Sequence, residues 1–249
     1  MAVLHGMGRY VFGAASVLLG VASLALRDQL TSNWQLPGET AFIFVTSVAQ
    51  MVGGVAVQFW KTERLGAITL GIVYLLFALT LVPEILAQPG IYASWGNVFY
   101  GLALVAGALL AYGLASPASY AKTVYKAPVT LFGLCAVSFA VEQVEFFGRT
   151  ISLVPKWIPL SGMFWGVATT IAFGLAGVSI LSGYKSLLAS RLLTLMLVIF
   201  GVAIWIPALI ADPRTHSNWG EGLETFAIAG AAWIVADFLG REGLVQRST

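Results

Sequence analysis

The sequence predicts an all-α polytopic transmembrane helical bundle of about eight spans, built from two parallel four-helix repeats. Three observations carry this: composition, a run of long apolar stretches, and an internal repeat. Hydrophobic residues make up 59% of the 249 and charged residues only 10%. A soluble domain carries about 25% charged residues. So few charges cannot cover a water-facing surface, so the lipid bilayer is the first partner expected. The repeat shows in pairs 124 residues apart: Pro83/Pro207, Ala87/Ala211, Pro89/Pro213, Trp95/Trp219, Gly96/Gly220 and Ala103/Ala227, with Gly53/Gly177 and Lys61/Lys185. Trp34/Trp157 falls one residue outside that offset. A constant offset across both spans and turns marks one structural unit used twice.

The spans follow in order. The first unit, residues 1–116, holds Gly8–Leu26, Thr40–Phe59, Leu65–Val82 and Gly96–Ala115. The second, residues 117–249, holds Pro128–Phe147, Gly162–Leu181, Leu192–Ala211 and Gly222–Leu239. Each approaches the ~20 residues that cross a bilayer as a helix. The runs are continuous rather than alternating, which favours helices over a barrel. Gly8–Leu26 resembles a signal peptide, but it pairs with the internal Pro128–Phe147 and is read as a mature helix. The linker, Ser116–Ala127, carries Pro117, Lys122 and Lys126.

Lys and Arg set the orientation. Nine of the 13 fall on the side holding both termini and four on the other, so both termini are expected in the cytoplasm. Four spans per unit bring both units in from the same side, a parallel repeat. The expected location is the bacterial cytoplasmic (inner) membrane.

Several chemistries are excluded. The formal charge of +2 is spread through loops and points to no nucleic acid. The single Cys135 allows no internal disulfide or thiolate cluster. His5 and His216 are expected at opposite faces of a ~30 Å layer and cannot share a haem. No span contains a lysine for a retinal Schiff base, and no metal site is assigned. No catalytic residue is identified.

The second span of each unit carries a signature. One copy reads Gln50-Met51-Val52-Gly53-Gly54-Val55-Ala56-Val57, then Lys61 and Arg64-Leu65-Gly66-Ala67. The other reads Gly174-Leu175-Ala176-Gly177-Val178-Ser179-Ile180-Leu181-Ser182-Gly183, then Arg191-Leu192-Leu193. This resembles the DoxX family of bacterial membrane proteins over nearly the whole chain, as two tandem four-helix units. The resemblance implies association with a quinone-linked membrane redox system and a soluble or membrane oxidoreductase partner. It implies no covalently bound cofactor and a quinone as the expected ligand. The family often has an acid where Gln50 and Gly174 stand, so a function needing a carboxylate there does not carry over.

The candidate ligand-binding residues are Glu142, Glu145, Gln50, His216, Glu221 and Glu224. Glu142 and Glu145 share a helix face, and Glu142 lies about 21 Å along the helix from Pro128. An ionisable group at such depth costs a few kcal/mol and usually marks a site or a partner. Arg149, four residues after Glu145, is its expected ion-pair partner; Glu142 either lines a polar cavity or serves packing. In the Pro-x5-Trp-Gly hairpins the copies differ: Tyr92, Asn97 and Tyr100 become His216, Glu221 and Glu224. The shared residues read as helix end, interfacial anchor and turn. The differing ones either relay protons or are solvated acids at a helix start. A wall of tryptophans near Glu142 suits a flat apolar ring. A small-solute permease and a ligand-free scaffold remain the rival readings.

Overall fold

The computed structural model describes residues 6–25, 39–116 and 126–248; the side chains of Glu39, His216 and residues 242–248 lie outside that description. So do His5, Trp34 and most of the expected linker. All regular structure among the described residues is helical. The helices are α1 (Met7–Ala25), α2 (Glu39–Ala56), α3 (Glu63–Thr80), α4 (Val82–Ala87), α5 (Tyr92–Leu114) and α6 (Lys126–Glu145). Then come α7 (Phe147–Leu153), α8 (Gly162–Ser182), α9 (Ser186–Phe200), α10 (Ile206–Ala211) and α11 (His216–Ser248).

Among the described residues, seven helices are long and apolar enough to cross a membrane: α1, α3 with α4, α5, α6, α8, α9 through α10, and the Ser217–Arg241 part of α11. The apolar stretch of α2, Thr40–Ala56, is shorter. It was expected to reach Phe59. Instead the chain turns after Ala56, where the Thr62 hydroxyl donates to the Ala56 carbonyl at 2.8 Å. The turn is close enough that a Cβ on Gly66 would stand 2.2 Å from the Val57 nitrogen.

Proline behaves differently from expectation at one place. The span Leu65–Val82 was expected to stop before Pro83, yet it runs on over Glu63–Ala87; Pro207 was expected inside its span and lies inside Ser186–Ala211. Proline has no N–H and its ring crowds the carbonyl four residues back. In one half the helix breaks at Leu81 before α4. In the other it widens into a π-helical segment, Gly201–Trp205, between α9 and α10. The hairpin glycines are also corrected: Gly96 lies within α5 and Gly220 within α11, so neither makes a turn.

α11 is the hub. It packs on α1, α9 and α5, and 67% of its span is buried, more than any other. Its inward face is small: Ala227, Ala229, Ala231 and Ala232 are fully enclosed. Small residues let helix backbones approach closely, which suits a membrane where no hydrophobic force draws helices together. α6 packs on α8 and α5, α2 on α1 and α3, and α3 on α5. The outside is apolar, with Phe44, Val52, Leu65, Ile72, Leu86, Leu175 and Ile210 all exposed.

Both ends of the bundle are tied. On the face where α5 and α11 end, the Arg241 guanidinium donates to the Leu114 carbonyl at 2.8 Å and Arg64 to Ala115 at 2.8 Å. These satisfy carbonyls that the end of α5 leaves unpaired. Arg9 pairs with Glu63 at 2.7 Å on the same face. On the opposite, hairpin face, three indoles make one contact. Trp95 donates to the Pro89 carbonyl at 3.0 Å, Trp219 to Pro213 at 2.9 Å, and Trp165 to Pro159 at 2.8 Å.

Candidate functional site

A cavity of about 620 Å³ opens beneath the hairpin face, lined mainly by the half built from α6 to α11. Its floor is a ladder of rings. Tyr100 stacks on Phe139 at 5.0 Å between centroids, Phe139 meets Phe173 edge-on at 5.8 Å, and Phe173 meets Phe200 at 6.2 Å. Trp157, Trp165 and Trp205 add to the walls. Trp205 belongs to the π-helical segment, and π-segments are frequent at functional sites. Phe226 of α11 sits so near that segment that a Cβ on Gly201 would stand 2.4 Å from its ring.

Polar groups gather at one end of this aromatic slot. Glu142 lines it from the last turn of α6, and Glu221 from the first turns of α11. Glu142 rests against Gly96: a Cβ there would stand 3.7 Å from its carboxyl carbon. The Tyr100 hydroxyl faces the same carboxylate. Gln143, next to Glu142, accepts from the hydroxyls of Thr169 at 3.1 Å and Thr170 at 3.0 Å, which fixes α6 to α8. The Tyr92 phenol bonds to Ser138, which fixes α5 to α6. A slot with apolar, aromatic walls and a few convergent polar groups is the usual form of a small-molecule site.

The expected pair of Glu145 with Arg149 is not made. α6 stops at Glu145, Phe146 leaves the helical region (φ −105°, ψ 39°), and α7 restarts at Phe147. A four-residue spacing brings side chains together only along an unbroken helix. Arg149 instead pairs with Glu221 across to α11. Glu145 is exposed and lies outside the lining of the cavity.

Glu221 and Glu224 were read as either relay groups or solvated acids. Both are only partly accessible, and they lie one turn apart on α11. Glu221 lines the slot and Glu224 does not. Gln50 is elsewhere: it is 2% exposed between α1, α2 and α3, and its amide donates to the Tyr74 hydroxyl at 3.4 Å. The His216 side chain lies outside the described residues. Among those described, no three His, Cys, Asp or Glu side chains group to hold a metal ion.

Sequence reasoning missed Gln143, Thr169 and the third indole clamp at Trp165. The clamp had a visible signal, since Pro159 and Trp165 repeat the Pro-x5-Trp spacing. Comparison with protein-family models, with curated proteins and with solved structures gives no match.

Proposed function

We propose that the chain is a DoxX-like membrane protein that serves a quinone-linked redox system. It holds the ring of a lipid quinone in the aromatic slot, with Glu142 at the polar end. The redox centre that exchanges electrons with the quinone belongs to an oxidoreductase partner. The observation that carries this reading is the slot itself, where a ladder of four rings leads to Glu142, Glu221 and Arg149. Stacking rings suit a flat apolar head; the Arg149 guanidinium or a protonated carboxyl can donate to its carbonyl oxygens, and a carboxylate can accept from the hydroxyl of the reduced form.

The same proposal includes eight spans in two parallel repeats, both termini cytoplasmic, in the bacterial inner membrane. Two observations support the repeat. Gly107 and Ala231 are 124 residues apart, and a Cβ on Gly107 would stand 2.5 Å from that of Ala231. A residue meets its own counterpart only beside a two-fold axis. Each unit also crosses its first two helices at glycines: a Cβ on Gly54 would stand 2.7 Å from the Gly13 carbonyl, and one on Gly177 2.9 Å from the Gly133 carbonyl. Reporter fusions after Ser116 and after Thr249 should both read cytoplasmic; a periplasmic reading at either would overturn the topology.

The ligand reading is tested on purified protein with a short-chain quinone, read by quenching of tryptophan fluorescence. Glu142→Gln keeps the shape and removes the charge, so folding should survive. Affinity should fall about tenfold, the scale of one lost hydrogen bond to a charged group. Unchanged quinone binding in a well-folded Glu142→Gln protein would sink the proposal. Solute flux in liposomes without quinone binding would put the permease reading in its place.

A further inference from the structure

The slot does not end where its rings end. Its residues on α9 and α10 run from Leu192 to Trp205, roughly 20 Å along the span at about 1.5 Å per residue. The chemistry changes along that length. Glu142, Glu221 and Arg149 stand at one end, the ring ladder follows, and Leu192, Leu195 and Met196 make the far end aliphatic. A ring head with its polar oxygens is far shorter than this. The aliphatic end is therefore left for another part of the ligand.

That end is open to the side. Leu188, Leu192, Leu195, Ile199, Val202 and Ile206 recur every three or four residues and are all exposed, so they form the outer stripe of this span. Leu192, Leu195 and Ile199 also line the slot, while the flanking three do not. The slot thus breaks through the wall of the bundle along α9. On α8, which packs on α9, the lining includes Ala168 and Ala172, next to the exposed Val167 and Ile171. Small residues are not demanded there by a shared fold, because the positions 124 residues earlier on α2 hold Phe44 and Val48. The matching seam between α2 and α3 is crossed by Phe42 and Phe77, edge-on at 6.1 Å, and their counterparts are Gly166 and Gly201. The rings that bridge α8 and α9, Phe173 and Phe200, belong to the floor of the slot instead.

We propose that the aliphatic end is a subsite for a hydrocarbon tail. The ligand enters sideways from the bilayer through the seam between α8 and α9, places its head at Glu142 and lays its chain along Leu192, Leu195 and Ile199. Its class is an amphiphile with one long prenyl or alkyl chain. Such a chain stays in contact with lipid through the open seam, so it never leaves an apolar environment. Its burial adds little affinity over lipid, and its fit in the seam decides which chains are accepted. The inference rests on the reading of the slot as the site of a ring-headed membrane ligand.

The test uses the full chain in phosphatidylcholine nanodiscs and two benzoquinones with the same ring, one carrying a methyl group and the other a decyl chain. Ala168→Phe puts into the seam the side chain that its counterpart Phe44 carries. The decyl-to-methyl affinity ratio should fall about tenfold against the unaltered protein, the scale of overfilling a packed site. Partition into lipid is the same for both proteins and cancels. An unchanged ratio would overturn the tail subsite. A second measurement does not depend on the variant folding: a decyl compound with a diazirine on its chain is photolysed on the unaltered protein and the label is located by mass spectrometry. Label should concentrate on residues 192–199 and disappear under an excess of the unlabelled decyl compound. Label that the competitor leaves in place, or that falls equally on residues 68–75 of α3, is lipid partition alone and contradicts the subsite. Failure of the methyl compound to bind, with competed label on α9, would strike the ring reading only. Binding of the methyl compound with uncompeted label would strike the tail subsite only.

Discussion

The Arg149 guanidinium pairs with Glu221, seventy-odd residues away on α11, and not with Glu145, four residues before it. The pair closes the polar end of the aromatic slot and joins α7 to α11. It also decides which acids belong to the site, because Glu145 is left on the outside.

That relationship makes a contrast between two conservative variants. Arg149 and Glu221 side chains are 61% and 34% exposed, so their coupling should be small, about 0.2–1 kcal/mol in a double-mutant cycle. Glu221→Gln should lower the melting temperature slightly and weaken quinone binding. Glu145→Gln should leave both unchanged. The check is thermal unfolding in detergent beside quinone titration for Glu145→Gln, Glu221→Gln and Arg149→Ala with the double variant. A coupling of zero, or an effect of Glu145→Gln equal to that of Glu221→Gln, would contradict the pairing.

The three indole clamps should behave alike. Trp95→Phe, Trp165→Phe and Trp219→Phe each keep the ring and remove one N–H bond to a proline carbonyl. Each should cost about 1 kcal/mol of stability, with no loss of ligand binding for Trp95 and Trp219. Trp165 lines the slot, so its variant should also change affinity. Equal affinity in all three would argue against a ligand beside Trp165.

Glycine-to-alanine variants should separate close crossings from open positions. A Cβ on Gly230 would stand 2.4 Å from the Phe12 nitrogen, and one on Gly66 2.2 Å from the Val57 nitrogen. Backbone cannot move aside easily, so Gly66→Ala and Gly230→Ala should each destabilise by about 1–3 kcal/mol. At Gly71 and Gly174 the nearest atoms would be 3.6 and 3.8 Å away. There alanine should be tolerated or should stabilise by about 0.5–1 kcal/mol, because glycine is a poor helix residue. Folded yield by size-exclusion chromatography ranks the four; the reverse order would show that the helix crossings are wrong.

The second hairpin has its own pH signature. Asp212 is fully exposed, and the Thr215 hydroxyl, then the Arg214 N–H, hold its carboxyl below the usual range. A depressed carboxylate contributes stability that is present above its unfolded value and is lost as pH falls through the folded one. The hairpin should therefore stay closed at neutral and mildly acidic pH and loosen only in more acidic solution. Thr215→Val should move that loosening to higher pH. Limited proteolysis near Pro213 across pH reads this directly; identical profiles for the two proteins would contradict the hydrogen bond.

The membrane class and the places of most helices were legible in the sequence. They depend on local quantities: runs of apolar residues, the few charges, and residue counts along a helix. The end of the third span was less legible at Pro83, where the helix breaks at Leu81 and restarts as α4 instead of stopping. The role of Gly96 was hidden for a related reason: it makes room for Glu142, a residue on another helix.

The sequence by itself determined that the chain is an apolar helical bundle with acids where lipid-facing residues would be expected. Only the tertiary structure decided which acids meet. A helix periodicity relates residues within one element, so it suggested Glu145 and Arg149 as partners. The kink at Phe146 breaks that periodicity, and the packing of α11 brings Glu221 to Arg149. Contacts between helices far apart in sequence depend on crossing geometry, which small residues such as Gly107 and Ala231 permit but no local pattern spells out.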